Sequence, residues 1–222
     1  SAIHNQLGMD VGVSVEPCRR DTFPAIALAT AYLHDVQGVS EDEAMIVCPV
    51  DPYVNEDYFV ALKNLGEQAQ KGEANLVLLG VEPTYPSEKY GYIIPATKEQ
   101  ISPVSTFKEK PDAVTAKKYI EQGALWNAGV FAFKLGYLLE KAHAAIDFTD
   151  YRDLYAKYDG LTKISFDYAV VEKEPSIQVR RYKGEWKDVG TWNTMAETMS
   201  DNVIGNVILD ETCSNTEVVN EL

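Results

Sequence analysis

Apolar and polar positions change period along the chain, and the changes mark out elements. "VGVSV" (11–15) is a short run of β-favouring residues, and "AIALATAYL" (25–33) has the small and apolar residues of a helix packed on a sheet. Pro24 fits that helix's first turn, and Thr22 or Asp21 its cap. "MIVCPV" (45–50) predicts a strand and "DYFVALKNLGEQAQKG" (57–72) an amphipathic helix stopped by Gly72. "NLVLLGV" (75–81) predicts a third, buried strand. Strand, helix, strand, helix, strand implies parallel βαβ units.

After residue 82 the texture changes. "YGYIIP", "PVSTFKEK" and "NAGVFAFK" are β-rich stretches separated by turns, with "AVTAKKYIEQG" (113–123) as an intervening helix. "SFDYAVVEK" (165–173) predicts a short capped helix, "IQVRRY" (177–182) a strand and "TWNTMAETMS" (191–200) a last helix. Residues 1–201 therefore read as one α/β domain, a parallel sheet with a mixed addition. The run from 202 to 222, with short β-type pieces between Asn, Asp and Gly turns, reads as the start of a separate β-rich region.

Composition narrows the choice of partner. The 222 residues are 45% hydrophobic, enough for a sizeable core, and carry a net charge of −14 with a pI near 4.6. Nucleic acid and anionic lipid would be repelled, so any phosphate must be held locally. The three cysteines, Cys18, Cys48 and Cys213, form no CxxC pair and suit a reducing cytoplasm. There is no apolar run of membrane-spanning length and no signal-peptide pattern at the N-terminus, so the chain reads as soluble and cytoplasmic.

Several polar residues then stand out by position. Ligands in open α/β sheets sit beyond the carboxyl ends of strands, and Asp51 in "CPVDPYV" follows such an end. An acid there is more often a turn former or cap. A second acid, Asp188 in "WKDVGTW" (186–192), repeats the arrangement 188 − 51 = 137 residues later. Two carboxylates on separate strand ends suit a magnesium ion that bridges substrate phosphates. "FKEKP" (107–111) ends a strand with Glu109, able to accept from sugar hydroxyls, and Lys110, able to hold a phosphate. Asn127 enters an otherwise apolar strand, and Gly91 in "YGYI" leaves room for close approach. Arg19 and Arg20 precede a helix N-terminus, where anions are favoured. Each of these has an ordinary alternative as a turn or surface residue.

The succession "EPCRRDTFPAIALA", "CPVDPYV", "YGYI", "FKEKP", "WNAGVFAF", "FDYAVVEK", "WKDVGTW" closely resembles the sugar nucleotidyltransferases, and specifically the mannose-1-phosphate guanylyltransferases. The resemblance implies a Rossmann-like, GT-A-like α/β fold whose mixed, mainly parallel sheet is flanked by helices. It implies a reaction that joins mannose 1-phosphate and GTP to give GDP-mannose and pyrophosphate. By the same resemblance Asp51 and Asp188 match magnesium ligands, and Lys110 the lysine that holds the sugar phosphate. Glu109, Asn127 and Gly91 match positions around the mannose, and Arg19 and Arg20 a segment near the nucleotide. The family's N-terminal glycine-rich loop, of the form GGxGxRL, has no counterpart here. The chain accordingly reads as an internal piece lacking the first βα units, expected to fold, to associate as a homo-oligomer near "VGVSV" and to be inactive alone. Two alternatives stay open, namely a nucleotidyltransferase for another hexose 1-phosphate or base, and a non-catalytic sugar-nucleotide-binding module.

Overall fold

A computed structural model describes residues 11–220, with 191, 197, 200, 211 and 215 left aside and the side chains of 192 and 193 likewise. The elements run α1 (Thr22–Asp35), β1 (Ala44–Val47), β2 (Pro52–Val54), α2 (Asp57–Lys71), β3 (Leu76–Val81), β4 (Tyr92–Pro95) and β5 (Ile101–Lys108). There follow α3 (Ala113–Glu121), β6 (Leu125–Lys134), α4 (Leu135–Ala145), α5 (Tyr151–Lys157), α6 (Phe166–Ala169), β7 (Ile177–Tyr182), β8 (Trp186–Asp188), α7 (Trp192–Ala196), β9 (Val203–Ile204) and β10 (Val218–Val219). His4 and the rest of the N-terminal decapeptide lie outside the described residues.

Local chemistry accounts for most of these boundaries. Asp21 accepts from the Thr22 backbone N–H at the start of α1. α2 stops at Gly72, whose φ of 70° suits a residue without Cβ. Asp112 and Ser165 cap α3 and α6 through the backbone N–H groups of Thr115 and Tyr168. β3 is buried along its whole length because both of its faces are covered. Leu76 and Leu78 meet Phe131, Phe133 and Phe166 on one face, where α1, α4 and α6 lie. Val77, Leu79 and Val81 meet Tyr58, Ala61 and Leu65 of α2 on the other. Alternate residues of one strand thus feed two cores, which makes a three-layer α/β/α sandwich.

Six strands form the central sheet in the order β1-β6-β3-β7-β5-β4, and β4 also reaches β6. The mixed α/β architecture expected from the sequence is present. The parallel character needs correction, because among the described strands of this sheet only β3 and β7 are parallel neighbours. β1 and β3 do run the same way, as βαβ units should, but the ten-residue β6 lies antiparallel between them. β1 is consequently a half-exposed edge strand rather than a buried one. Among the described residues "VGVSV" carries no strand: Val13 and Val15 are 43% and 62% exposed, and β propensity alone does not make a run of residues a strand.

Helices α4 and α5, absent from the sequence reading, cover the α1 face. β6 ends at Lys134 and α4 starts at Leu135 with no loop between them, and Gly136 falls inside the helix rather than ahead of it, so the turn signal does not mark the boundary. Beyond residue 201, β9 and β10 form a parallel two-stranded piece of their own. Among the described residues no helix is long and apolar enough to cross a membrane.

Candidate functional site

An irregularity in β6 positions the site. On one edge β6 pairs with β3, and there Leu78 faces Phe131 while Gly80 faces Asn127. Two steps along β3 therefore span four along β6, a bulge of two residues. On its other edge β6 pairs with β1 through 131–134 and with β4 through 125–126, so 128–130 have no strand partner on that side. Gly129, at φ 70°, takes the left-handed conformation the bulge needs. A cleft of about 230 Å³ opens at this gap, lined by Pro49, Asp51, Tyr90, Asn127, Gly129 and Asp188 among others.

Both acids reach the cleft through a small ribbon. β2 pairs antiparallel with β8, with Pro52 opposite Asp188 and Val54 opposite Trp186. Asp51, next to Pro52, and Asp188 thus stand at the same end of two paired strands, and both are exposed. Asp188 Oδ1 accepts from the Gly190 N–H at 2.9 Å, so this acid is a local cap as well as part of the cleft wall. The two carboxylates offer hard oxygen donors of the type magnesium takes, and the described residues contain no group of three or more His, Cys, Asp or Glu able to hold a metal by themselves. As a pair they suit an ion that takes its remaining ligands from a bound anion and water.

Next to the acids lies a polar cluster built by the ends of β4, β5 and β6. Asn127, 8% exposed, donates its backbone N–H to the Gly91 carbonyl at 2.8 Å and its Nδ2 to Asp167 Oδ1 at 2.7 Å. Gly91 leaves room for a neighbouring side chain: a Cβ there would stand 2.5 Å from Glu109 Oε2 and 3.3 Å from the Asn127 Cβ. The space over Gly91 is thus taken up by the Glu109 carboxylate. Lys110 Nζ approaches Glu109 Oε1 at 3.3 Å, and its backbone adopts φ 44°, a left-handed conformation costing on the order of 1 kcal/mol for a residue with a side chain.

The electrostatics are those of acids awaiting a partner. Burial, aided by the nearby Asp167, holds the Glu109 carboxyl above its usual range, against the pull of Lys110. Burial also raises Asp167, against hydrogen bonds from the backbone and Asn127. Glu109 Oε2 is buried without a hydrogen-bond partner. Glu172 braces the cluster from behind, accepting from the Glu109 backbone N–H and from Lys108 Nζ, each at 3.1 Å.

The structure brings Asp51, Asp188 and Asn127 into one cleft, with Gly91, Glu109 and Lys110 adjoining it. It does not bring Arg19 and Arg20 there. Arg20 donates to the Asp159 carbonyl across from α1, and Arg19 is exposed. Sequence reasoning missed Tyr90 and Trp186, whose rings meet at 5.7 Å and wall the cleft, and also Asp167. Tyr90 and Trp186 are the first residues of "YGYI" and "WKDVGTW", motifs read for their Gly and Asp. Asp167 was hidden in the first turn of a capped helix, where an acid has an ordinary electrostatic reason to be.

The Nucleotidyl transferase family matches residues 2–203. The mannose-1-phosphate guanylyltransferase of Escherichia coli is 30% identical, with 94% of this chain and 50% of that protein covered. The alginate biosynthesis protein AlgA of Pseudomonas aeruginosa is 32% identical, with 88% and 44% covered. The chain therefore spans about half the length of these curated relatives. Among solved structures, one described as a mannose-1-phosphate geranyltransferase from Thermus thermophilus superposes with a TM-score of 0.76 at 33% identity, covering 92% of this chain and 64% of that one. A UDP-glucose pyrophosphorylase complexed with UDP-glucose shares the fold at a TM-score of 0.60 and 17% identity, with 88% and 67% covered.

Proposed function

The chain belongs to the nucleotidyl transferase family, and on that premise we propose that it forms the sugar-phosphate half of an enzyme making GDP-mannose and pyrophosphate from mannose 1-phosphate and GTP. The observation that carries the reading is the gap on β6 between β1 and β4. It gathers Asp51, Asp188 and Asn127 beside the Glu109 and Lys110 pair. The relatives named for mannose 1-phosphate supply the sugar and the base.

In this reading Lys110 holds the sugar phosphate as a compact charge, while Asn127 and Glu109 hold hydroxyls of the ring. A phosphate oxygen of mannose 1-phosphate forms a bond to the α-phosphorus of GTP. The bond from that phosphorus to the bridging oxygen breaks, and its electron pair leaves with pyrophosphate. No side chain becomes acylated or phosphorylated, so the protein contributes positioning and charge compensation. Asp51 and Asp188 would hold magnesium, which when bound supplies positive charge against the phosphates. The aromatic wall of Tyr90 and Trp186 excludes water from one side of the cleft.

The test is pyrophosphate release by the complete gene product, with magnesium and mannose 1-phosphate, from GTP, UTP and dTTP in parallel. Release from GTP with mannose 1-phosphate and not glucose 1-phosphate is expected. Preference for UTP or dTTP would move the assignment to another hexose 1-phosphate enzyme, and no release with any pair would leave a binding module.

A further inference from the structure

The side-chain amide of Asn127 is engaged at both ends by the protein itself. Its Nδ2 donates to Asp167 Oδ1 at 2.7 Å, and its Oδ1 accepts from the Gly129 backbone N–H at 3.1 Å. Turning the amide over would put its oxygen against the Asp167 carboxylate and its NH2 against the Gly129 N–H. Two hydrogen bonds would give way to two like-facing contacts, so the amide has one orientation for as long as Asp167 is an acceptor.

Asp167 is itself held firmly relative to Asn127. It sits on α6, where Ser165 Oγ accepts from the Tyr168 N–H and Thr22 Oγ1 accepts from the Phe166 N–H. The fully buried Phe166 ring packs on Phe131 at 4.6 Å and stacks on Phe133 at 5.8 Å between centroids. Both phenylalanines lie on β6, the strand that carries Asn127. The helix with the acceptor is therefore clamped to the strand with the amide.

We infer that Asp167 is a positioning residue for the sugar ring, an inference that rests on the cleft being a sugar-phosphate pocket. By fixing the Asn127 amide it presents one Nδ2 hydrogen and one Oδ1 lone pair to a ligand in a set order. Beside them Glu109 Oε2, buried without a partner, crowds the same point over Gly91 and can only accept while ionised. A pair of neighbouring hydroxyls then meets a fixed pattern of donor and acceptors, which discriminates between epimers as well as giving affinity. Asp167 acts through Asn127 throughout.

The experiment compares this chain with its Asp167→Asn and Asp167→Ala variants in two ways. The first readout needs no ligand: the side-chain 15N–1H2 resonances of Asn127, assigned by their loss in Asn127→Ala, should shift or broaden in Asp167→Asn as the amide begins to turn over. The second is calorimetry with mannose 1-phosphate and glucose 1-phosphate. Asp167→Asn should bind mannose 1-phosphate about 10-fold more weakly and discriminate less between the two sugars. Asp167→Asn keeps the side chain's shape, so it carries the test even where Asp167→Ala fails to fold. Unchanged Asn127 resonances, or unchanged affinity and selectivity, would overturn the inference. If the unmutated chain binds neither sugar phosphate, the proposed function fails and the sugar-positioning role with it, while the ligand-free spectra still show whether Asp167 fixes the Asn127 amide.

Discussion

Pro52 of β2 stands directly opposite Asp188 of β8. Proline donates no N–H to a ladder, so a short two-stranded ribbon is one of the few places where it can pair. The same rigid residue fixes the direction in which Asp51 leaves the strand. An acid near the start of the chain and one near its end, 137 positions apart by subtraction of their numbers, are thereby set side by side.

Asp51→Asn and Asp188→Asn in the complete gene product should each lower turnover by about 100-fold or more, the scale on which preorganised charge compensation acts. Both acids are exposed, and asparagine at 188 can still cap the Gly190 N–H. Unfolding free energy should therefore change by no more than about 0.5 kcal/mol. Pyrophosphate assays and denaturant melts on the same preparations check the pair. Full turnover in both variants would remove the acids from the mechanism.

Lys110→Ala should raise the Michaelis constant for mannose 1-phosphate roughly 10-fold or more and leave that for GTP within about 2-fold, since a charged hydrogen bond contributes about 1.5–3 kcal/mol. Equal effects on the two substrates would place the lysine elsewhere in the reaction. A gain in stability from relieving the left-handed backbone is not expected, because alanine carries the same Cβ.

Glu174 should prove structural. Burial pushes its pKa up, but hydrogen bonds from Tyr137, Asn75, the Ser176 N–H and Lys141 outweigh that and hold it below the usual glutamate range. It ties α4 to the loop before β7. Glu174→Ala strands these donors and should cost about 2–4 kcal/mol in urea unfolding. A lowered carboxyl stabilises above its unfolded pKa, so the cost should be full at neutral pH and shrink as pH falls through the acid range.

Glu109 should behave in the opposite sense. Its pKa is raised in the fold, so the folded state binds protons more readily than the unfolded chain does. The penalty is absent below the unfolded pKa and complete above the folded one. Glu109→Gln should accordingly raise the melting temperature at pH 7, with the gain vanishing towards pH 4, while sugar-phosphate binding weakens. A melting temperature lowered at pH 7 would show that Lys110 outweighs burial at this site.

Much of this was legible in the sequence where chemistry and geometry share a local cause. The run "NLVLLGV" became β3 because a strand covered on both faces must be apolar throughout, and Gly72 ended α2 because few other residues take its conformation. Asp51 and Asp188 were legible as acids following strands. The bulge at Gly129 was not, because register depends on which strand lies alongside, and local pattern carries no trace of the antiparallel β6 between β1 and β3. Asp167 escaped for a related reason. Its partner Asn127 is 40 residues away, and only the packing of Phe166 on β6 brings the two together.

The two extra residues of β6 also say something about how this cleft can be gained or lost. Side chains repeat every two residues along a strand, so excising a pair from the bulge leaves every core residue facing the way it did before. Such a deletion would give a regular ladder and a closed edge, with Asn127 drawn out of the opening, at the expense of the buried Ala128 or Val130. The way the strand's side chains face and the opening beside it are in this sense separately encoded here, the first by the parity of the residue count and the second by the count itself.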